Sequence, residues 1–275
     1  MKTLISATEL STALSDAELY VTGRGSTELH QLATQWQLPN PVRSEILRIA
    51  NMLKNFRVSE DRRGKFIAFS GLDKTGKETQ LFNPHRRRDI LSITQFLSSS
   101  GYRVLGIKQP SYDTLMGKLV ATYLGRTTEF RIEGSLSSQF AWILWSLDRA
   151  QHNKSISEWL SADSKNIVLA KRWTDSNVIY QAANGVEPDR VLKMESNIVK
   201  PDAIVVLDAP VDVVMKRMKL ADAYEESAFL TRVKDLYDKL ERFYPYCEIY
   251  RVDASVEPSK VNVYLLTLIK KILQE

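Results

Sequence analysis

Apolar positions along the chain follow two different periods. From residue 64 onward, short and nearly continuous apolar runs (KFIAFS from Lys65, YRVLGIK from Tyr102, NIVLAK from Asn166, AIVVLD from Ala203 and EIYRVD from Glu248) are separated by longer stretches with helical spacing. Runs without polar alternation suit strands covered on both faces, and strands alternating with helices predict a parallel α/β sheet joined by right-handed crossovers. Before residue 64 no such run occurs. The best pattern there is PVRSEILRIANMLKNF, in which Val42, Ile46, Ile49, Leu53 and Phe56 recur on one helical face. The polar stretch VSEDRRGK, from Val58 to Lys65, reads as a junction. The chain is therefore expected to carry a small, mainly helical N-terminal extension over residues 1–63, followed by an α/β domain over residues 64–275. That domain is expected to be built on a five-stranded parallel sheet flanked by helices in three layers.

Composition sharpens this picture only at its edges. The 275 residues, 44% hydrophobic and 26% charged, suffice for one sizeable core and a small second unit. No window approaches the roughly 18 apolar residues needed to span a bilayer. The N-terminus MKTLISATELSTALSDAELY has acidic residues where a signal peptide keeps its apolar core, so a cytoplasmic location with no membrane partner is expected. The single cysteine, Cys247, excludes an internal disulfide, and no Cys/His cluster has metal-ligand spacing. The net charge of +5 favours anionic partners without distinguishing small nucleotides from nucleic acid.

The segment FSGLDKTGKETQ, directly after the first predicted strand, narrows the choice. Gly71, Gly76 and Lys77 satisfy the first seven positions of GxxxxGK[ST], a loop whose backbone N–H groups and following helix hold phosphate oxygens. Lys77 would neutralise charge on the transferring phosphate. At the eighth position Glu78 stands where a Ser or Thr hydroxyl ligates Mg²⁺. The plainer alternative is a strand-to-helix turn that holds no ligand. Pro84 cannot continue a helix, so the helix opened by the loop is expected to end near Phe82, with a new one after Arg86, Arg87 and Arg88.

Further motifs, in order, resemble those of the thymidylate kinase family. The loop GLDKTGK is similar to the form with an acidic residue at its third position and a basic one at its fourth, here Asp73 and Lys74. KQPSYDTLMGKLVATYL resembles the segment that opens on an aromatic-proline pair and runs into a Gly-Lys helix, with Pro110, Thr114, Gly117, Lys118 and Tyr123 in register. FAWILWSLDRAQ resembles a helix carrying an aromatic residue and, four positions on, an arginine: Trp145 and Arg149. Residues i and i+4 share a helical face, so both could serve one ligand; the alternative is that Trp142 and Trp145 are core aromatics at helical spacing. LAKRWTDSNVIYQAANG supplies Arg172, Trp173, Ser176, Tyr180 and Gly185, and KPDAIVVLDAP the entry to a strand. Tyr224, Glu225 and Phe229 fall in a lid-like segment, and VDAS, containing Asp253 and Ala254, is similar to the stretch beside adenine. The resemblance covers about residues 64–275.

It implies ATP as phosphate donor, Mg²⁺ as cofactor, small-molecule nucleotides as partners, a homodimer and no nucleic-acid partner. The donor would be held by Gly71, Thr75, Gly76, Lys77, Glu78, Thr79, Asp253 and Ala254, with Lys77, Lys74, Arg172 and Lys171 in the transfer itself. The acceptor, dTMP, would lie against Asp73, Pro110, Tyr112, Trp145, Arg149, Arg172, Ser176 and Tyr180. Asp73 would contact the 3′-hydroxyl, and Trp145 the base. The chain departs from the family pattern at Glu78, at Lys171 in place of a carboxylate, and at Tyr112 in place of an arginine. Glu78 would then either ligate the metal or pair with Lys171. These departures keep two other functions open: a kinase of the same fold with another acceptor, and a nucleotide-binding protein without catalysis.

Overall fold

The computed structural model describes residues 2–25, 28–59, 61–218 and 224–274. Residues 219–223 of the lid-like segment, and the side chains of Tyr224 and Glu225, lie outside the described residues. The chain forms two compact units. One comprises Met1–Val58, Gln109–Ser155 and Asn184–Val199, and the other Ser59–Lys108, Ile156–Ala183 and Lys200–Glu275. Seven strands are described: β1 (Thr3–Ser6), β2 (Lys65–Ser70), β3 (Arg103–Lys108), β4 (Phe130–Glu133), β5 (Asn166–Lys171), β6 (Ala203–Asp208) and β7 (Glu248–Asp253).

The second unit holds the five predicted strands as one parallel sheet in the order β3-β5-β2-β6-β7. Its inner strands β2, β5 and β6 are buried along nearly their whole length, which is why they read as unbroken apolar runs. Successive side chains on β2 serve opposite faces. Ile67 and Phe69 join Leu81, Ile93, Leu97, Leu265 and Ile269 in one core, contributed by the helices Lys77–Phe82, Ile93–Ser99 and Pro258–Gln274. Phe66 instead packs edge-on against Trp173, with ring centroids 5.3 Å apart. Fully burying each such side chain contributes about 1.5–3 kcal/mol.

The break expected at Asn83-Pro84 has a specific cause. Asn83 takes a left-handed conformation (φ 43°) that ends the helix Lys77–Phe82, and its amide bridges Arg87 and Ile90. The next helix starts at Ile93, where Ser92 and Gln95 cap each other reciprocally.

In the first unit β1 pairs in parallel with β4, a two-stranded sheet that the sequence reading did not anticipate. The helices Ala7–Val21, Asn40–Asn55 and Ser138–Ala150 pack on one another and bury Leu10, Leu14, Val42, Ile46, Ile49, Leu53, Trp142 and Leu147. The predicted stripe of the second of these helices points inward, with only Phe56, just beyond its end, partly exposed. Glu18 is buried between the guanidinium groups of Arg24 and Arg190. Among the described residues no helix is long and apolar enough to cross a membrane.

Candidate functional site

The phosphate-loop residues occupy the turn between β2 and the helix Lys77–Phe82. At Gly71 φ is 112°, and a Cβ there would come 2.3 Å from the Leu207 carbonyl oxygen, so both conformation and space demand glycine. Gly76, at φ 90°, precedes the helix. Thr75 Oγ1 donates to the Leu72 carbonyl at 2.9 Å. Lys77 is buried under this loop, and its Nζ donates to the carbonyls of Gly71 (3.1 Å) and Leu72 and to Thr75 Oγ1 (3.2 Å). Burial, and next the nearby Arg172 guanidinium, pull its pKa well below the ordinary lysine range. Thr79 serves the same helix through its carbonyl, which accepts from Asn83 N–H. The exposed Lys74 is held at φ 59°.

Two charged clusters lie beside the loop, at the C-terminal ends of β3 and β5. Arg172 follows β5 in a left-handed conformation (φ 66°), with its N–H on the Phe69 carbonyl at 2.8 Å. Its guanidinium donates to Asp73 Oδ1 at 2.8 Å and to the Tyr180 hydroxyl at 3.0 Å. The Arg172 charge holds the Asp73 carboxyl at a pKa of about 2, so Asp73 is an ionised hydrogen-bond acceptor at neutral pH. In the second cluster Glu78 accepts from Lys108 Nζ through Oε1 (2.8 Å) and from Lys171 Nζ through Oε2 (2.9 Å). The Lys108 bond, then the Lys171 bond, lower the Glu78 pKa to about 2.

Other predicted positions are committed to local structure. Ser176 Oγ lies 3.2 Å from Ser70 Oγ and 3.0 Å from the Tyr237 hydroxyl, all of them buried. Asp253 Oδ1 accepts from the N–H and hydroxyl of Ser255, and Ala254 N–H donates to the Asp208 carbonyl at 2.6 Å.

Pro110, Tyr112, Trp145 and Arg149 belong to the first unit, and every other predicted site residue to the second. The peptide Gln109–Pro110 is cis. Tyr112 is 36% exposed, and the Arg126 guanidinium lies 4.4 Å from its ring centroid, which puts a cation beside the position where the sequence lacks one. Trp145 packs edge-on against Tyr123 at 5.5 Å. Arg149 is buried, and its Nη1 donates to the Trp145 carbonyl at 2.8 Å.

Asp148 was missed by the sequence reading, although it directly precedes Arg149. It is buried and accepts from Ser111 N–H (2.9 Å), Gln151 Nε2 (2.7 Å) and Thr114 Oγ1 (3.3 Å), so it fixes the segment after Pro110 against the helix Ser138–Ala150. Burial raises its pKa to about 6.

The residues at Glu78 do not fit a divalent cation. Both carboxylate oxygens are engaged by ammonium groups, and a cation placed there would face two like charges at close range. Among the described residues no group of three His, Cys, Asp or Glu could hold a metal. The expectation of Glu78 as a metal ligand thus meets a carboxylate already committed to ion pairs.

Comparison with known proteins agrees with the order of these elements. The family model described as thymidylate kinase matches residues 69–263. A probable thymidylate kinase of Pyrococcus horikoshii is 30% identical over 209 residues, covering 74% of this chain and 96% of the relative. That of Thermococcus kodakarensis is 30% identical over 217 residues, covering 76% and 99%. A thymidylate kinase of Dictyostelium discoideum is 28% identical over 180 residues, covering 65% and 73%. With the phosphate loop behind β2, the parallel sheet that carries it and a family match across most of its length, the chain belongs to the thymidylate kinase family.

Proposed function

We propose that the protein is a nucleoside monophosphate kinase that moves the γ-phosphoryl group of ATP to dTMP, giving dTDP and ADP. The observation that carries this reading is the phosphate loop with Lys77 beneath it and the Asp73–Arg172 ion pair beside it. Such a site works by positioning and charge neutralisation, since phosphoryl transfer needs little covalent help from the protein. An incoming phosphate oxygen favours the charged form of Lys77, which burial alone disfavours. Lys74 and Lys171 add charge for the donor phosphates, and Arg172 serves the acceptor phosphate. Arg172 also orients Asp73, which as an ionised acceptor receives a hydrogen bond from the sugar 3′-hydroxyl. Trp145 offers its indole face to the pyrimidine, and Arg149, one turn further along the same helix, supplies a guanidinium. The reading includes a cytoplasmic homodimer, which sedimentation of the full chain would check.

The test is a product-resolved assay with ATP and a panel of nucleoside monophosphates and nucleosides. Formation of dTDP from dTMP, faster than from any other acceptor, is the expected result. Turnover of a different acceptor with none of dTMP would remove the dTMP assignment while keeping the kinase. No product from any acceptor would remove the kinase as well.

A further inference from the structure

We propose that Lys108 and Lys171 form a built-in cationic clamp for the donor's phosphates, with Glu78 as its counter-ion, so that the triphosphate is bound as the metal-free polyanion. The inference rests on the reading of the loop as a nucleotide donor site and adds how that donor's charge is met.

The clamp is a product of strand register. Lys108 ends β3 and Lys171 ends β5, and the two are direct partners in the parallel ladder. Like charges at paired positions repel, so this arrangement calls for an anion between them. Glu78 supplies it, one oxygen to each ammonium, at 2.8 and 2.9 Å. Lys108 has a second support: its Nζ lies 4.9 Å from the Phe82 ring centroid. That ring is itself set close to Gly106, where an added Cβ would come 2.9 Å from Phe82 Cε1. The cations therefore stand at fixed places beside the residue that follows the loop lysine.

Charge decides what this place can receive. Among the described residues around the loop, the cations Lys77, Lys108, Lys171 and Arg172 outnumber the carboxylates of Asp73, Glu78 and Asp175. An excess of positive charge built from side chains attracts a polyphosphate and repels a divalent cation. Ammonium groups are effective point-charge partners for phosphate, and both lysines are partly exposed, so a phosphate can reach them. When it does, each ammonium exchanges part of its bond with Glu78 for one with a phosphate oxygen. A carboxylate stationed between two lysines keeps them apart from each other and in place until then.

The experiment is calorimetric titration of the full chain with ATP, once with excess Mg²⁺ and once in EDTA. The expected result is that wild type binds ATP in EDTA at least as tightly as with Mg²⁺. Lys108→Ala should weaken binding in EDTA by about tenfold, and the double variant Glu78→Thr/Lys171→Asp should prefer ATP with Mg²⁺ by about tenfold or more. Circular dichroism of each variant establishes that it is folded. Wild-type binding that falls by about tenfold or more in EDTA would overturn the clamp and leave the kinase assignment standing. An unchanged affinity in folded Lys108→Ala would overturn it too. Tight binding in EDTA without phosphorylation of any acceptor would support the clamp and count against the kinase, and no ATP binding in either buffer would remove both.

Discussion

The helix Ser138–Ala150 and the loop Gly71–Lys77 both carry charged groups that the proposed reaction needs, yet they hold them in opposite ways. On the helix, Asp148 and Arg149 are buried, and their recorded partners include fixed backbone groups, Ser111 N–H for Asp148 and the Trp145 carbonyl for Arg149. Beside the loop, Asp73 and Glu78 are exposed enough to exchange partners, and among the described residues their ion-pair partners are the side chains of Arg172, Lys108 and Lys171. Breaking a buried, fully bonded group leaves its partners unsatisfied and costs stability. Breaking a half-exposed ion pair costs little stability, because water takes the place of the lost partner. Substitutions on the helix should therefore be felt in folding, and those at the loop in binding and turnover.

The largest expected effect tests the loop half of this contrast. Lys77→Ala removes the charge nearest the phosphates, and kcat for dTDP formation should fall by about 10²–10³-fold, the usual cost of one group that stabilises developing charge. Although Lys77 is buried, the variant's melting temperature should stay near that of wild type, because the bonds lost at Gly71, Leu72 and Thr75 are offset by removing an ammonium that its own burial disfavours. A variant that unfolds instead would show that Lys77 bonds to Gly71 and Thr75 hold the loop together, and the contrast would be wrong at its strongest point.

Next in size is a pH effect on the helix side. With the Asp148 pKa raised to about 6 in the folded chain, the folded state binds a proton more tightly than the unfolded state does. Its contribution to stability is fully present below the ordinary aspartate value, is lost as pH rises through about 6, and is flat above that. Asp148→Asn keeps an oxygen acceptor for Ser111 N–H and has no such dependence. Its stability relative to wild type should rise between about pH 4 and 6.5, by on the order of 2–3 kcal/mol, in denaturant melts. A difference that stays constant with pH would mean that the hydrogen bonds to Asp148 offset its burial.

These two residues also mark how far the sequence could be read. The five sheet strands were legible because a strand buried on both faces must be apolar throughout, and the loop because its glycines are forced by conformation and space at Gly71. The pair β1 and β4 was not, since four-residue strands carry too little pattern and these two are joined across most of the first 130 residues. Nothing local in the sequence marks Asp148, and only the fold reveals that it points at Ser111. The Glu78–Lys171 pairing could be considered from the unusual residues at those positions. The place of Lys108 in it depends on the register between β3 and β5, which no local pattern specifies.

Trp145 should give a smaller effect and sharpen the comparison from the ligand's side. Trp145→Ala removes the stacking face and its edge contact with Tyr123, and KM for dTMP should rise about tenfold, toward the lower end of the 1–3 kcal/mol expected for one base on one aromatic ring. Trp145→Phe should recover most of the loss. If KM for dTMP is unchanged and only the melting temperature falls, the indole is a core residue like Trp142, and the helix serves folding alone.

The smallest effect is expected at Glu78, and its smallness is what the contrast requires. Glu78→Gln removes the charge shared by Lys108 and Lys171, groups that are 42%, 47% and 22% exposed at the side chain. Exposed ion pairs contribute about 0–1 kcal/mol, so at pH 7 the melting temperature should drop by roughly 3 °C or less, and about 1 M salt should shrink that gap further. With its pKa lowered to about 2, Glu78 contributes its stability above the ordinary glutamate value and loses it as pH falls toward 2. The gap between variant and wild type should therefore narrow in acid, opposite in direction to the change expected for Asp148. A drop of about 3 kcal/mol that resists salt would put Glu78 among the buried, fixed groups of the other kind, and the division between a helix built for folding and a loop built for exchange would fail there.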